Sequence, residues 1–307
     1  LADHAVTDLA SDGHGPHGVH VAIDFGISNT DAVARVGDSI RRWTRPSSGT
    51  PDEATVRAVL ASGGLALEDV TRLAVTGGRH RALPAHFGQL PLLSVHEVTA
   101  IGRGGQALAA HQLAEQGHSD HALGSALGSV PTLVVSAGSG TAVISARGDA
   151  CRHITGTGVG GGTLLGLGRL LLQTSDAMSI DALAMQGDPN GADLSLQDVV
   201  LGPIGSLPPD ATAVNFGKLA RGAHEATRED LAAALVTLVG QVIAITAINA
   251  ARAERLEHVV VIGHLTDMPS FRAVLDRVGE YYGMQLLLPE QAGFGTAMGA
   301  LLQLSAA

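Results

Sequence analysis

Short runs in which apolar and polar residues alternate, many of them β-branched, dominate the first part of the chain, and stretches with apolar residues three and four apart follow them. This pattern predicts strands at Val19–Phe25, Ala32–Val36 and Ser39–Thr44, then a helix near Asp52–Ala61. Strands at Arg72–Thr76 and Leu92–Val95 and a helix from Val98 to about Gln116 complete the first half. The second half repeats the order, with strands at Thr132–Ser136, Ala142–Ala146 and Cys151–Ile154 and helices at Thr163–Leu172 and Leu231–Arg252. A strand at His258–Ile262, a helix at Ser270–Tyr282, a strand at Gln285–Leu288 and a helix at Thr296–Leu304 end the series.

Two three-strand meanders, each followed by alternating helices and strands, imply that one α/β unit has been duplicated. The expected division is a disordered tail over residues 1–18, a first lobe over 19–128 and a second over 129–307. Within the second lobe the inserted stretch Ser175–Gly222, with Pro203, Pro208 and Pro209, reads as a loop-rich excursion. Three glycine-rich turns stand out, at residues 23–29, 136–141 and 158–163. The first two join strand to strand and are therefore hairpin tips, unlike the strand, turn and helix of a dinucleotide fold or a P-loop. The third runs into a helix. Small residues free the backbone N–H groups in all three, which makes them candidate phosphate grips.

Composition narrows the chemistry. The 307 residues are 45% hydrophobic, enough for two cores, and carry a formal charge of −10 with no basic run, so nothing points to nucleic acid or an acidic membrane surface. Lys218 is the single lysine, and it lies in no Walker, protein-kinase or Schiff-base motif. One cysteine, Cys151, excludes an internal disulfide and fits a reducing, cytoplasmic setting; it reads as a buried thiol rather than a nucleophile. The opening residues, with His4, His14 and His17, lack the basic and apolar regions of a signal peptide. Leu231–Ala251 is uncharged and long enough to span a bilayer, yet it carries Gln241 and Asn249, so a helix buried between sheet and neighbours is expected.

Two α/β lobes with glycine-rich hairpin tips resemble the actin-like (ribonuclease H-like) ATPase architecture, which implies ATP in a cleft between the lobes. Seven further segments make the resemblance closer. They are Val95–Ala100, Glu115–His118, Gly156–Gly168, Gln186–Asn190, Ala213–Gly217, Val261–Gly263 and Ala292–Ala300, and in this order they resemble type II pantothenate kinases from about Val19 onward. The resemblance implies ATP-dependent phosphorylation of the primary hydroxyl of pantothenate, the first step toward coenzyme A, by a homodimer using Mg²⁺. Glu97, at a strand end where α/β sites gather, is the expected general base. Asp24 is expected to face the Mg²⁺ through water. Gly26, Ile27, Ser28 and Asn29 would hold phosphate from one lobe and Ser139, Gly140 and Thr141 from the other, while Gly160, Gly161, Gly162, Thr163 and Leu164 would contact the nucleotide. His264 replaces a small hydroxyl residue where adenosine packs, and Thr157 joins an arginine in holding the substrate.

Two positions depart from the family. Its first motif ends in a lysine where this chain has Asp31. The substrate arginine aligns with either Arg152 or His153, and only a guanidinium offers a carboxylate a bidentate fork. Alternatives are therefore a kinase for another hydroxylated small molecule and a nucleotide-binding relative without catalysis.

Overall fold

The structure, a computed structural model, describes residues 18–116, 130–200, 204–205, 207–221 and 226–306. The expected tail up to residue 17, and the Gly117–His118 part of one family segment, lie outside the described residues.

The chain forms two compact units that are not contiguous in sequence. The first takes the chain up to Val130 together with Ala146–Arg152 and Phe294–Ala307, and the second takes Pro131–Ser145 and His153–Gly293. A division near residue 129 thus follows sequence order, whereas packing returns the last helix to the first unit.

In the first unit β1 (Val19–Phe25), β2 (Asn29–Val36) and β3 (Ser39–Pro46) form an antiparallel meander. Helix α1 (Glu53–Ser62) follows, started by Asp52, whose carboxylate accepts from the Thr55 N–H at 2.8 Å. Then come β4 (Val70–Thr76), the short β5 (His86–Phe87), β6 (Leu90–Ser94) and α2 (Glu97–Glu115). The sheet order is β3-β2-β1-β4-β6-β5, with β1, β4 and β6 parallel. Alternation along the strands sorts the side chains into two layers. Val21, Ile23, Phe25, Leu73 and Val75 pack on Val56, Val59 and Leu60 of α1. Ala22, Val33 and Ala74 form a second cluster with Ala100 of α2 and with Ala297, Met298 and Leu301 of the last helix.

The second unit begins with β7 (Thr132–Ala137) and most of β8 (Thr141–Arg147) and β9 (Ala150–Thr157), whose connecting end Ala146–Arg152 groups with the first unit, followed by α3 (Gly161–Leu172). The stretch expected to be loop-rich contains helix α4 (Ala177–Ala184), capped by Asp176 and anchored by buried Ile180 and Ala184. It also holds a small sheet of β10 (Leu194–Ser195) and β11 (Thr212–Val214), with single-turn helices α5 (Leu196–Val199) and α6 (Gly217–Ala220). The prolines that mark the stretch as a loop, Pro203, Pro208 and Pro209, all lie beyond α4, whose own residues are mostly apolar. Helix α7 (Arg228–Glu254), β12 (His258–Ile262), α8 (Pro269–Tyr282), β13 (Leu286–Leu287) and α9 (Gly295–Ala306) complete the chain. The sheet order is β13-β12-β7-β8-β9, which repeats β6-β4-β1-β2-β3 strand for strand. Among the described residues α7 alone is long and apolar enough to cross a membrane, and 67% of its most apolar window is buried inside the protein, as a core helix requires.

Two family segments serve this core. Gly187 and Gly191 pack against the start of α7, where an added Cβ would meet Glu229 O at 2.1 Å and the Asp230 side chain at 2.5 Å. The fully buried Asp193 accepts from the Phe216 N–H at 2.7 Å and the Thr212 hydroxyl at 3.0 Å, and burial raises its carboxyl above the ordinary value. Gln186–Asn190 and Ala213–Gly217 therefore brace the excursion and the start of α7.

Candidate active site

The carboxyl ends of three parallel strands meet in the first unit. Asp24, next to last in β1, lies beside Thr76 of β4, and Val75 of β4 pairs with Ser94 of β6. Behind Thr76 the chain turns through Gly77 and Gly78. Gly77 has φ +88°, and a Cβ there would lie 2.3 Å from Asp24 Oδ1 and 2.7 Å from Phe25 O, so glycine is required twice over. A Cβ on Gly78 would stand 4.0 Å from Glu97 Oε2. The two predicted carboxylates thus flank one glycine pair, a pair not singled out as part of the site by the sequence pattern. Glu97 is exposed and is the first residue of α2, where the helix N-terminus favours a negative charge.

Asp31 is buried at 6% exposure and lies directly across β1–β2 from Asp24. Both carboxylates share the sheet face of Ala22, Val33 and Ala74, as does Thr76, whose buried hydroxyl has no hydrogen-bond partner among the described residues. This row is made of hard oxygen donors.

The first hairpin tip is braced from outside the motif. The Ser47 hydroxyl donates to Gly26 O at 2.8 Å, and the Ser47 N–H donates to Ser28 O at 2.9 Å. A Cβ on Gly26 would meet Asn29 O at 2.7 Å, so this glycine lets the turn close. Ile27 is 74% exposed at the tip.

In the second unit the Gly138–Thr141 tip and the start of α3 are joined backbone to backbone. The N–H groups of Gly161 and Gly162 donate to the carbonyls of Gly138 and Ser139, both at 2.8 Å. The Thr141 hydroxyl donates to Val159 O at 2.8 Å, and a Cβ on Gly160 would meet Gly138 O at 2.8 Å. Two of the amides read as a phosphate grip are therefore engaged within the chain, and the glycines serve the close approach of two backbones. Gly140 has less room than its neighbour Gly138, since a Cβ would stand 3.3 Å from Thr157 O. Thr163 and Leu164 lie in the first turn of α3, where the Thr163 hydroxyl donates to Gly158 O at 3.1 Å.

Gly263 repeats Gly77. It follows β12 as Gly77 follows β4, has φ +109°, and a Cβ there would meet Ala137 O at 2.4 Å. His264 comes next, its Nδ1 2.7 Å from Asp267 Oδ2 and its ring against Gly293, where a Cβ would be 2.4 Å from Nδ1.

The two residues expected to hold substrate do not come together. Arg152 and Thr157 are five positions apart on β9, about 16 Å of extended strand. The Thr157 hydroxyl accepts from the Val159 N–H at 3.2 Å. Arg152 groups with the first unit, and its neighbour Cys151 packs on Gly102, a turn and a half into the helix that Glu97 begins. Burial pushes the Cys151 thiol up, with Arg103 opposing, which fits a packed thiol rather than a nucleophile. Arg152 and His153 are both exposed and, as strand neighbours, project to opposite faces.

The glycine pairing gives a test of its own. Gly77→Ala and Gly263→Ala are each expected to cost about 2–3 kcal/mol, because they add backbone collision to left-handed strain of about 1 kcal/mol. Gly37→Ala, at φ +59° with nothing within 4 Å, supplies the strain alone. Urea denaturation midpoints of the three variants should separate the first two from the third.

The repeated strand order and the paired glycines define the class, an actin-like ATPase fold. A solved activator of 2-hydroxyisocaproyl-CoA dehydratase from Clostridium difficile, with bound ADPNP, matches 93% of both chains with a TM-score of 0.60 and 15% identity. The Fumble family profile matches residues 109–303. A type II pantothenate kinase from Oceanobacillus iheyensis is 30% identical over 74% of this chain and 80% of its own. Another, from Staphylococcus aureus strain USA300, is 30% identical over 76% and 83%. The chain belongs to the Fumble family of type II pantothenate kinases.

Proposed function

We infer that the protein is an ATP-dependent kinase that phosphorylates the primary hydroxyl of pantothenate, opening the route to coenzyme A. The observation that carries the reading is the pair of carboxylates, Asp24 and Glu97, set on either side of Gly77–Gly78 at the ends of parallel strands. Phosphoryl transfer to an alcohol needs a base within reach of the hydroxyl and fixed charge near the phosphates.

Glu97 takes the proton of the primary hydroxyl as its oxygen bonds to the γ-phosphorus, and ADP departs as the β–γ bridging bond breaks. Its exposure lets it reach a bound alcohol. Asp24, with the Thr76 hydroxyl beside it, presents oxygen donors of the kind Mg²⁺ accepts while keeping its water shell, and Gly77, lacking a Cβ, lets the chain pass against Asp24 Oδ1. The ion, when bound, neutralises phosphate charge. Gly26, Ser28 and Asn29 of the first hairpin and Ser139, Gly140 and Thr141 of the second are proposed to contact phosphate through N–H and hydroxyl groups. Gly160 to Leu164 are proposed to line the nucleotide, with His264 beside adenosine. Arg152 is proposed to anchor the pantothenate carboxylate, and family resemblance supports a homodimer.

Measuring ADP release with and without pantothenate tests the reading. Turnover that requires pantothenate is expected. ATP hydrolysis indifferent to pantothenate would reject it.

A further inference from the structure

The internal repeat makes His80 the counterpart of Thr266, since each lies three residues after a left-handed glycine. In the second unit the Thr266 hydroxyl donates to Gly263 O at 2.8 Å. In the first unit His80 Nδ1 stands 2.5 Å from Gly77 O and takes over that contact. A carbonyl only accepts, so Nδ1 carries the proton. The imidazole also reaches where threonine cannot: its Nε2 is 2.8 Å from Ser94 Oγ. With Nδ1 protonated, the neutral ring leaves Nε2 as acceptor and the Ser94 hydroxyl donates to it.

His80 is 7% exposed, so its orientation is fixed by packing. Ser94 is the last residue of β6 and stands three positions before Glu97. One buried ring therefore ties the glycine turn beside Glu97 to the strand that delivers Glu97. We propose that His80 and Ser94 are positioning residues that set the Glu97 carboxylate over Gly78. This rests on Glu97 acting as base. In the second unit β13 ends on Leu287, which offers no hydroxyl to such a ring, and there the Thr266 hydroxyl makes the glycine contact.

Three variants separate the two contacts. His80→Thr keeps a hydroxyl for Gly77 O, as Thr266 does, and loses Ser94. Ser94→Ala loses only the second contact, at a solvent-facing residue that folding tolerates. His80→Ala loses both. Because misplacing a reacting group by about 1 Å can cost about 10²-fold, His80→Thr and Ser94→Ala are each expected to lower kcat about 5- to 20-fold, and His80→Ala about 100-fold. KM for ATP should stay within about twofold if only the base has moved. Coupled residues fail to add, so in a Glu97→Gln background Ser94→Ala should change kcat less than about twofold.

Wild-type kcat in Ser94→Ala would overturn the proposal while leaving Glu97 as base untouched. The same is true if Ser94→Ala lowers kcat equally in the wild-type and Glu97→Gln backgrounds, because the loss then does not pass through the carboxylate. Wild-type turnover in Glu97→Gln alone would instead remove the base itself.

Discussion

Glu97→Gln is expected to lower kcat by about 10²- to 10⁴-fold, the usual contribution of a positioned general base. Glutamine keeps the shape and cannot accept the hydroxyl proton as a carboxylate does. Because Glu97 is exposed at the first turn of α2, losing its charge should remove no more than about 0.3–1 kcal/mol of helix-end stabilisation. Melting temperature and calorimetric ATP affinity should therefore stay near wild type while turnover collapses. Unchanged kcat would reject Glu97 as the base.

The second large effect is expected at Arg152. Removing a guanidinium from a carboxylate forfeits a charge-assisted bond of about 1.5–3 kcal/mol, so Arg152→Ala should raise the KM for pantothenate about 10- to 150-fold and leave the KM for ATP nearly unchanged. The strand geometry sharpens the choice between neighbours, because Arg152 and His153 face opposite sides of β9. Only one of them can face a given acceptor. Pantothenate should be strongly preferred over its amide by wild type and not by Arg152→Ala. If both enzymes treat acid and amide alike, Arg152 does not recognise the carboxylate. In that case His153→Arg improving pantothenate use would place the anchor on the other face.

Much of the scaffold is legible in alternation alone. His258–Ile262 and Val19–Phe25 coincide with their strands, and the doubled meander announces the repeat ahead of any packing. Both hairpin tips read correctly as strand-to-strand turns, because β-branched runs flank them directly. The excursion hides α4, a short apolar helix that the prolines further along the same stretch overshadow. Asp24 is visible as an acid near the end of a strand, and Glu97 as one just past a strand, where the structure begins α2. Gly77 and Gly78 are not, since a glycine pair after a strand looks like any turn until Asp24 Oδ1 is found pressed against it. His80 and Ser94 are still less visible. Fourteen positions apart, they meet only because β4 and β6 pair in register, and no local spacing encodes that.

The glycines at the N-terminal end of α3 carry a related lesson. In sequence they read as an anion cradle, yet the Gly161 and Gly162 N–H groups are taken by Gly138 and Ser139 carbonyls. A run of glycines reports how closely a backbone is approached. What approaches it, ligand or another stretch of the same chain, needs the fold.

Helices α2 and α9 touch at their backbones: a Cβ on Gly104 would fall 1.8 Å from Gly295 O, and one on Gly299 would fall 1.8 Å from Ala100 O. The inner cluster of the first sheet is closed by α9, from the far end of the chain. During synthesis Ala22, Val33 and Ala74 emerge long before the residues that cover them. Vectorial folding from the N-terminus, usual for proteins of several units, therefore leaves this first unit open on one face until translation has passed the whole of the second. The unit made first is the one finished last.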